Sequence, residues 1–187
     1  MALTKVDKSL LETTSGTADA TTFLRGDGTW NAPASATLAP AFSACANADV
    51  AITSDVSTKV TLNREEFAST DGCFDPTTNY RFTVPGGEGG KYLITAGATL
   101  ASTSDMEIIE LYIFKNGAAI VWNIWTCGTT YIELGYDTRT LACGLDLSAA
   151  DYLELFAYQV SAGGTQLIKG SATLQASWMS GFKLVGI

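Results

Sequence analysis

From residue 41 onward, apolar and polar side chains alternate with a period of two, the mark of half-buried β-strands. The rhythm predicts strands over residues 50–52 and 59–62, then over 79–85, where it stops at Pro85, Gly86 and Gly87. It resumes over 92–96, 107–115 and 118–125, continues over 138–147 and 152–158, and closes with a strand over 172–185. Asn116 and Gly117 separate two of these runs. Both residue types tolerate positive φ, so the pair predicts a two-residue hairpin. The total is about eight to ten strands with no helix in the body, which indicates a β-sandwich or barrel.

The first forty residues lack this alternation. Residues 1–19 carry a brief apolar rhythm of Leu3, Val6, Leu10 and Leu11. About ten residues do not hold a helix alone in water, so these four aliphatics read as a tip that docks on another surface. Residues 20–40 are rich in Ala, Thr, Ser, Gly and Pro and read as an extended linker, with Phe23 and Trp30 as its anchors. The organisation is therefore a docking tip (1–19), a linker (20–40) and a β-rich head (41–187).

Composition narrows the function. Across 187 residues, 47% are hydrophobic and 16% charged, which suits a packed globular head and excludes a disordered chain. The net charge is −8, and Lys and Arg are nowhere clustered. Nucleic acid is excluded as a partner, because phosphate binding needs such a cluster. No apolar run is long enough to cross a bilayer, and the N-terminus lacks a signal peptide's apolar core. Synthesis and folding in a cytosol are expected, with no membrane insertion. The four cysteines, Cys45, Cys73, Cys127 and Cys143, match no disulfide framework and read as reduced thiols, with Cys127 and Cys143 the alternative pair.

Candidate chemistry is sparse. The chain has no histidine, so the commonest general base and transition-metal ligand is missing. No lysine stands clearly beside a serine, and a nucleophile relay has no support. The run from Gly86 to Lys91 fails as a phosphate loop: Pro85 occupies the first glycine position and Tyr92 replaces the required Ser or Thr. Carboxylates at Glu65 and Glu66, at Asp71 and Asp75, and at Asp105, Glu107 and Glu110 lack the density of a calcium loop and read as solvated faces. Arg25, Gly26 and Asp27 spell an adhesion tripeptide but read as a turn inside the linker. No catalytic residue, metal ligand or cofactor is assigned, and a carbohydrate-active enzyme is disfavoured. The aromatics carry what remains. Trp122, Trp125, Tyr92, Trp178 and Phe182 are the candidates for an oligomer interface or a ligand face, with Tyr131, Tyr136, Tyr152 and Tyr158 as further aromatics. Trp122 and Ile124 share one face of their strand and Trp125 takes the other, so one tryptophan face is expected outside the sandwich.

Two resemblances sharpen this. The segment from Phe23 to Trp30, Phe-Leu-Arg-Gly-Asp-Gly-Thr-Trp, resembles a signature of bacteriophage fibre and appendage proteins that lies between attachment end and head. Several motifs of the body resemble, in order, the jelly roll of tumour necrosis factor and the complement globular heads. They are Phe67 with Gly72 to Asp75 and Asn79 to Pro85, then Gly90 to Ile94, Leu111 with Lys115 to Gly117, Leu145 to Leu155, and Ser180 to Leu184. Ala150 stands where that family has glycine.

The second resemblance implies an all-β, ten-stranded, two-sheet jelly-roll sandwich that forms homotrimers. It also implies a calcium ion on the three-fold axis in some members, although no residue here is identified for one. Together the resemblances imply a bacteriophage virion protein of fibre, collar or capsid. Its N-terminus would dock on other virion proteins, and its head would be displayed for a host-surface polysaccharide. A purely structural decoration or plug, and a soluble cytokine-like ligand, are the alternatives.

Overall fold

The computed structural model describes residues 22–24, 29–31, 40–69, 72–102, 106–126 and 135–184. The chain divides into two units, Met1–Thr37 and Leu38–Ile187. In the first, β1 (Phe23–Leu24) pairs antiparallel with β2 (Trp30–Asn31), placing Phe23 opposite Asn31 and Leu24 opposite Trp30. The docking residues Leu3, Val6, Leu10 and Leu11 lie outside the described residues.

The second unit contains β3 (Ala41–Cys45), β4 (Val50–Ile52), β5 (Thr58–Lys59), β6 (Arg64–Ala68), β7 (Phe74–Asp75), β8 (Arg81–Thr83) and β9 (Gly90–Ser102). There follow β10 (Met106–Lys115), β11 (Ala118–Thr126), β12 (Gly135–Leu147), β13 (Tyr152–Ser161), β14 (Gln166–Ile168) and β15 (Trp178–Lys183). No helix occurs among the described residues. A six-stranded sheet runs β11-β10-β13-β8-β7, with β5 also paired to β13. A seven-stranded sheet runs β4-β14-β9-β15-β3-β6, and β12 pairs the opposite edge of β9.

The two sheets bury their facing side chains against each other. Tyr92, Ile94, Ala96, Ala98 and Leu100 of β9 point inward and meet Ile109, Leu111 and Ile113 of β10 and Leu153 and Leu155 of β13 in one core. Phe42 of one sheet stacks on Phe82 of the other at 4.4 Å between ring centroids, with Phe74 and Tyr92 around them. Burial of this kind contributes about 25 cal/mol per Å² of apolar surface and is what holds the sheets together.

The predicted hairpin is present. Asn116 and Gly117 both take positive φ, 52° and 83°, as a turn between β10 and β11 requires. The turn is tied to the start of β13: Asn116 Nδ2 donates to Asp151 at 2.7 Å and Asn116 Oδ1 accepts from the Tyr152 amide at 2.9 Å.

Several strands differ from the sequence expectation. The run expected over 79–85 shrinks to Arg81–Thr83, because Tyr80 has a φ of 49° and the Asp75 carboxylate holds the amides of Thr77, Thr78 and Asn79 in a turn. The strand expected over 172–185 begins only at Trp178, since Ser171 Oγ accepts from the Thr173 and Leu174 amides and bends the chain. Strands β3, β6, β7 and β14 were not expected. β3 reads Ala-Phe-Ser-Ala-Cys, with every residue from Phe42 to Cys45 buried, so it shows no alternation. β6 is polar because it lies at a sheet edge.

Candidate functional site

The outward face of the seven-stranded sheet is built without charge across β9, β12 and β15. Alternation in β9 turns Leu93, Thr95, Gly97, Thr99 and Ala101 away from the core. The register sets Gly144, Ala142, Thr140, Thr138 and Tyr136 of β12 beside them. On the other edge, Phe182, Ser180 and Trp178 of β15 lie opposite Leu93, Thr95 and Gly97. Not one of these thirteen positions is Asp, Glu, Lys or Arg, in a chain of 11 basic and 19 acidic residues. Charges return only beyond the patch, where Lys91 pairs in register with Asp146. The hydroxyls are satisfied locally: Thr99 and Thr138 share a bond of 2.8 Å, and Ser180 donates to Ser43 at 2.8 Å. Small side chains make a flat floor, and Phe182, Trp178 and Tyr136 rise from it.

Beside this floor β11 and β12 approach each other, with Asn123 Nδ2 donating to Thr140 O at 3.2 Å. β12 pairs only with β9 and β11 only with β10 among the described strands. Val121 and Trp125 of β11, and Leu141, Cys143 and Leu145 of β12, are partly buried against the core there. The Arg139 guanidinium lies 4.3 Å from the Trp125 ring centroid and is paired with Asp137 at 2.5 Å.

The outward face of the six-stranded sheet differs. In register, Trp122 of β11, Tyr112 of β10, Phe156 of β13 and Lys59 of β5 form one row across four strands. The Tyr112 and Trp122 rings are 6.5 Å apart and 13° from parallel, and Phe114 packs on Phe156 at 4.1 Å. The next row sets Ile124, Glu110 and Tyr158 side by side. Tyr112 donates its hydroxyl to Glu110, whose carboxyl is pushed up by burial. Lys59 bonds Glu154 at 2.5 Å.

The sequence candidates separate accordingly. Trp122 is 62% exposed on the outer face, and Trp125 turns inward, as their alternation predicted. Trp178 and Phe182 are half-buried on the uncharged face. Tyr92 is corrected: it is fully buried in the core and presents no surface. Its ring fills the gap beside Phe82, its hydroxyl donates to Glu88 O at 2.5 Å, and burial pushes its pKa up to about 12. The linker anchors Phe23 and Trp30 sit in β1 and β2, with Phe23 exposed. Tyr131 and Cys127 lie outside the described residues. Cys45 and Cys143 are free thiols, and the Cys73 thiol donates to Ala41 O at 3.9 Å. Cys45 donates to Glu66 at 3.1 Å and accepts from Arg64 Nε at 3.1 Å, and its pKa is raised, chiefly by burial. No group of three potential metal ligands occurs among the described residues, and no helix there could cross a membrane.

The uncharged floor was missed from sequence because its residues come from three separate strands. Thr, Gly, Ala and Ser at alternating positions look like an ordinary solvated face until pairing sets them side by side.

Comparison with solved structures identifies the fold. Eiger TNF from S. frugiperda superposes with a TM-score of 0.54 at 15% identity, over 79% of this chain and 93% of that one. Murine APRIL gives 0.53 at 11%, over 77% and 98%. The globular domain of zebrafish complement 1qA protein gives 0.52 at 16%, over 78% and 97%. No family model and no curated protein sequence matches the chain. The chain thus shares the jelly roll of tumour necrosis factor and the complement heads, as its motifs implied.

Proposed function

We propose that the protein is a homotrimeric structural component of a bacteriophage particle, docked through its N-terminal segment and displaying the jelly roll outward for host-surface contact. The uncharged face of β9, β12 and β15 carries this reading. A face of this breadth without charge marks an association surface. The floor and the β11–β12 side are different surfaces. Contact between the floor of one copy and the β11–β12 side of the next is therefore head-to-tail, and a three-fold rotation between copies closes such contacts into a ring of three. The Phe-Leu-Arg-Gly-Asp-Gly-Thr-Trp segment supports the phage assignment. The likeness to a tumour necrosis factor supports a second reading, a soluble cytokine-like ligand with the same assembly.

Solution mass tests the assembly. Ala142 is exposed at the centre of β12 in the single chain, so Ala142→Arg leaves the fold intact while placing a charge on the floor. Wild type is expected to be trimeric and Ala142→Arg monomeric, with unchanged circular dichroism. A monomeric wild type sinks the proposal. Copurification with particles, or its absence, separates virion protein from soluble ligand.

A further inference from the structure

The outer face of the six-stranded sheet holds a feature separate from the uncharged floor. The β10–β11 ladder slips between Ile113 and Phe114: Ile113 pairs with Val121, but Phe114 pairs with Ala119. Ile120 is therefore one residue too many. Such a bulge kinks its strand and re-aims the neighbouring side chains. A groove of about 310 Å³ opens at this point, lined by Tyr112, Ala119, Ile120, Val121 and Trp122. Its size is at the lower end of small-ligand sites. Trp122 is 62% exposed and Ile120 43%, so both apolar surfaces stand in water in the single chain.

We propose that this groove binds a neutral hexopyranose unit of a surface polysaccharide. A pyranose ring presents an apolar C–H face and a rim of hydroxyls, and it needs a flat apolar surface beside hydrogen-bonding groups. The Trp122 indole supplies the surface, with Tyr112 near-parallel beside it. The Tyr112 hydroxyl and the Glu110 carboxylate it binds supply polar partners in the adjoining row. Tyr158, bonded to Asp55 at 3.1 Å, extends that row for a following sugar. No cation lines the groove, and the chain carries a net charge of −8, so uronic acids, sialic acids and phosphates are repelled. The inference rests on reading the head as a displayed binding module. Three grooves per trimer would multiply a weak single-site affinity.

Titration of the full-length protein with neutral and with acidic oligosaccharides, by calorimetry and tryptophan fluorescence, tests this. Trp122→Ala and, as a control, Leu174→Ala are run beside wild type, and the mass of each is measured. Leu174 is 68% exposed and distant in sequence from the groove. Saturable binding of a neutral oligosaccharide, weakened at least about tenfold by Trp122→Ala and unchanged by Leu174→Ala, is expected. Failure of all neutral sugars, preference for acidic ones, or undiminished binding by Trp122→Ala overturns the site. Loss of the trimer in Trp122→Ala also overturns it, because the face is then a contact between copies. A trimer on particles without sugar binding sinks this site alone; sugar binding lost at Trp122→Ala in a protein absent from particles sinks the virion reading alone.

Discussion

Single residues set the turn between β12 and β13. Ala150 has a φ of 71°, a left-handed conformation that costs an L-residue roughly 1–2 kcal/mol. It persists because the Ala150 amide donates to Val84 O at 2.9 Å and the Asp151 amide to Ser148 O at 3.1 Å. Glycine at this position relieves the strain but frees the unfolded chain. Ala150→Gly is expected to stabilise the head by about 0.5–1 kcal/mol in urea unfolding. Asp151 is the second fixed point. Lys115, Asn116 and the Ser148 amide hold its carboxyl at about 2 against an ordinary 3.8. A depressed pKa means that ionised Asp151 favours the folded state. That stability is complete above the ordinary value and fades as pH falls from about 5 through about 2. In Asp151→Asn, the acid-side slope of stability over this window is expected to flatten, with lower stability at pH 7.

Elements pack where their sequence permits close approach. β15 crosses the middle of its sheet between β9 and β3. A Cβ on Gly181 would stand 2.5 Å from Ile94 Cδ1 and 3.0 Å from Phe42 Cε1. The Ser-Gly-Phe wording of the last strand thus has a packing cause: only glycine lets Phe42 and Ile94 meet there. Gly181→Ala is expected to cost about 1–3 kcal/mol by overpacking, measured by thermal unfolding. β11 and β12 show the opposite case. Among the described strands each has one paired edge, and the alternation of β12 gave the strand but not its neighbour. The face of β11 bearing Trp122 and Ile124 was legible because a strand of period two must separate them from Trp125. The bulge at Ile120 was not legible, because it depends on how β11 meets β10.

At the scale of the whole molecule, the anchor and the head make separable claims. The head is a unit of its own, Leu38–Ile187, with a continuous core. Removal of residues 1–19 is expected to leave its unfolding transition and trimer mass unchanged while abolishing particle attachment. Loss of folding would contradict the division into anchor and head. The sequence by itself determined the β class, the Asn116–Gly117 hairpin and the jelly-roll motifs. The first two rest on period-two patterning and turn residues and the third on a resemblance of short motifs, all local properties of the chain. Only the tertiary structure decided that Tyr92 is core, that thirteen residues from three strands share a floor nearly free of ionisable groups, and that a groove opens beside Trp122. Each of these depends on which strands lie side by side and in what register, and pairing between residues far apart in the chain, not between nearest neighbours, fixes that arrangement.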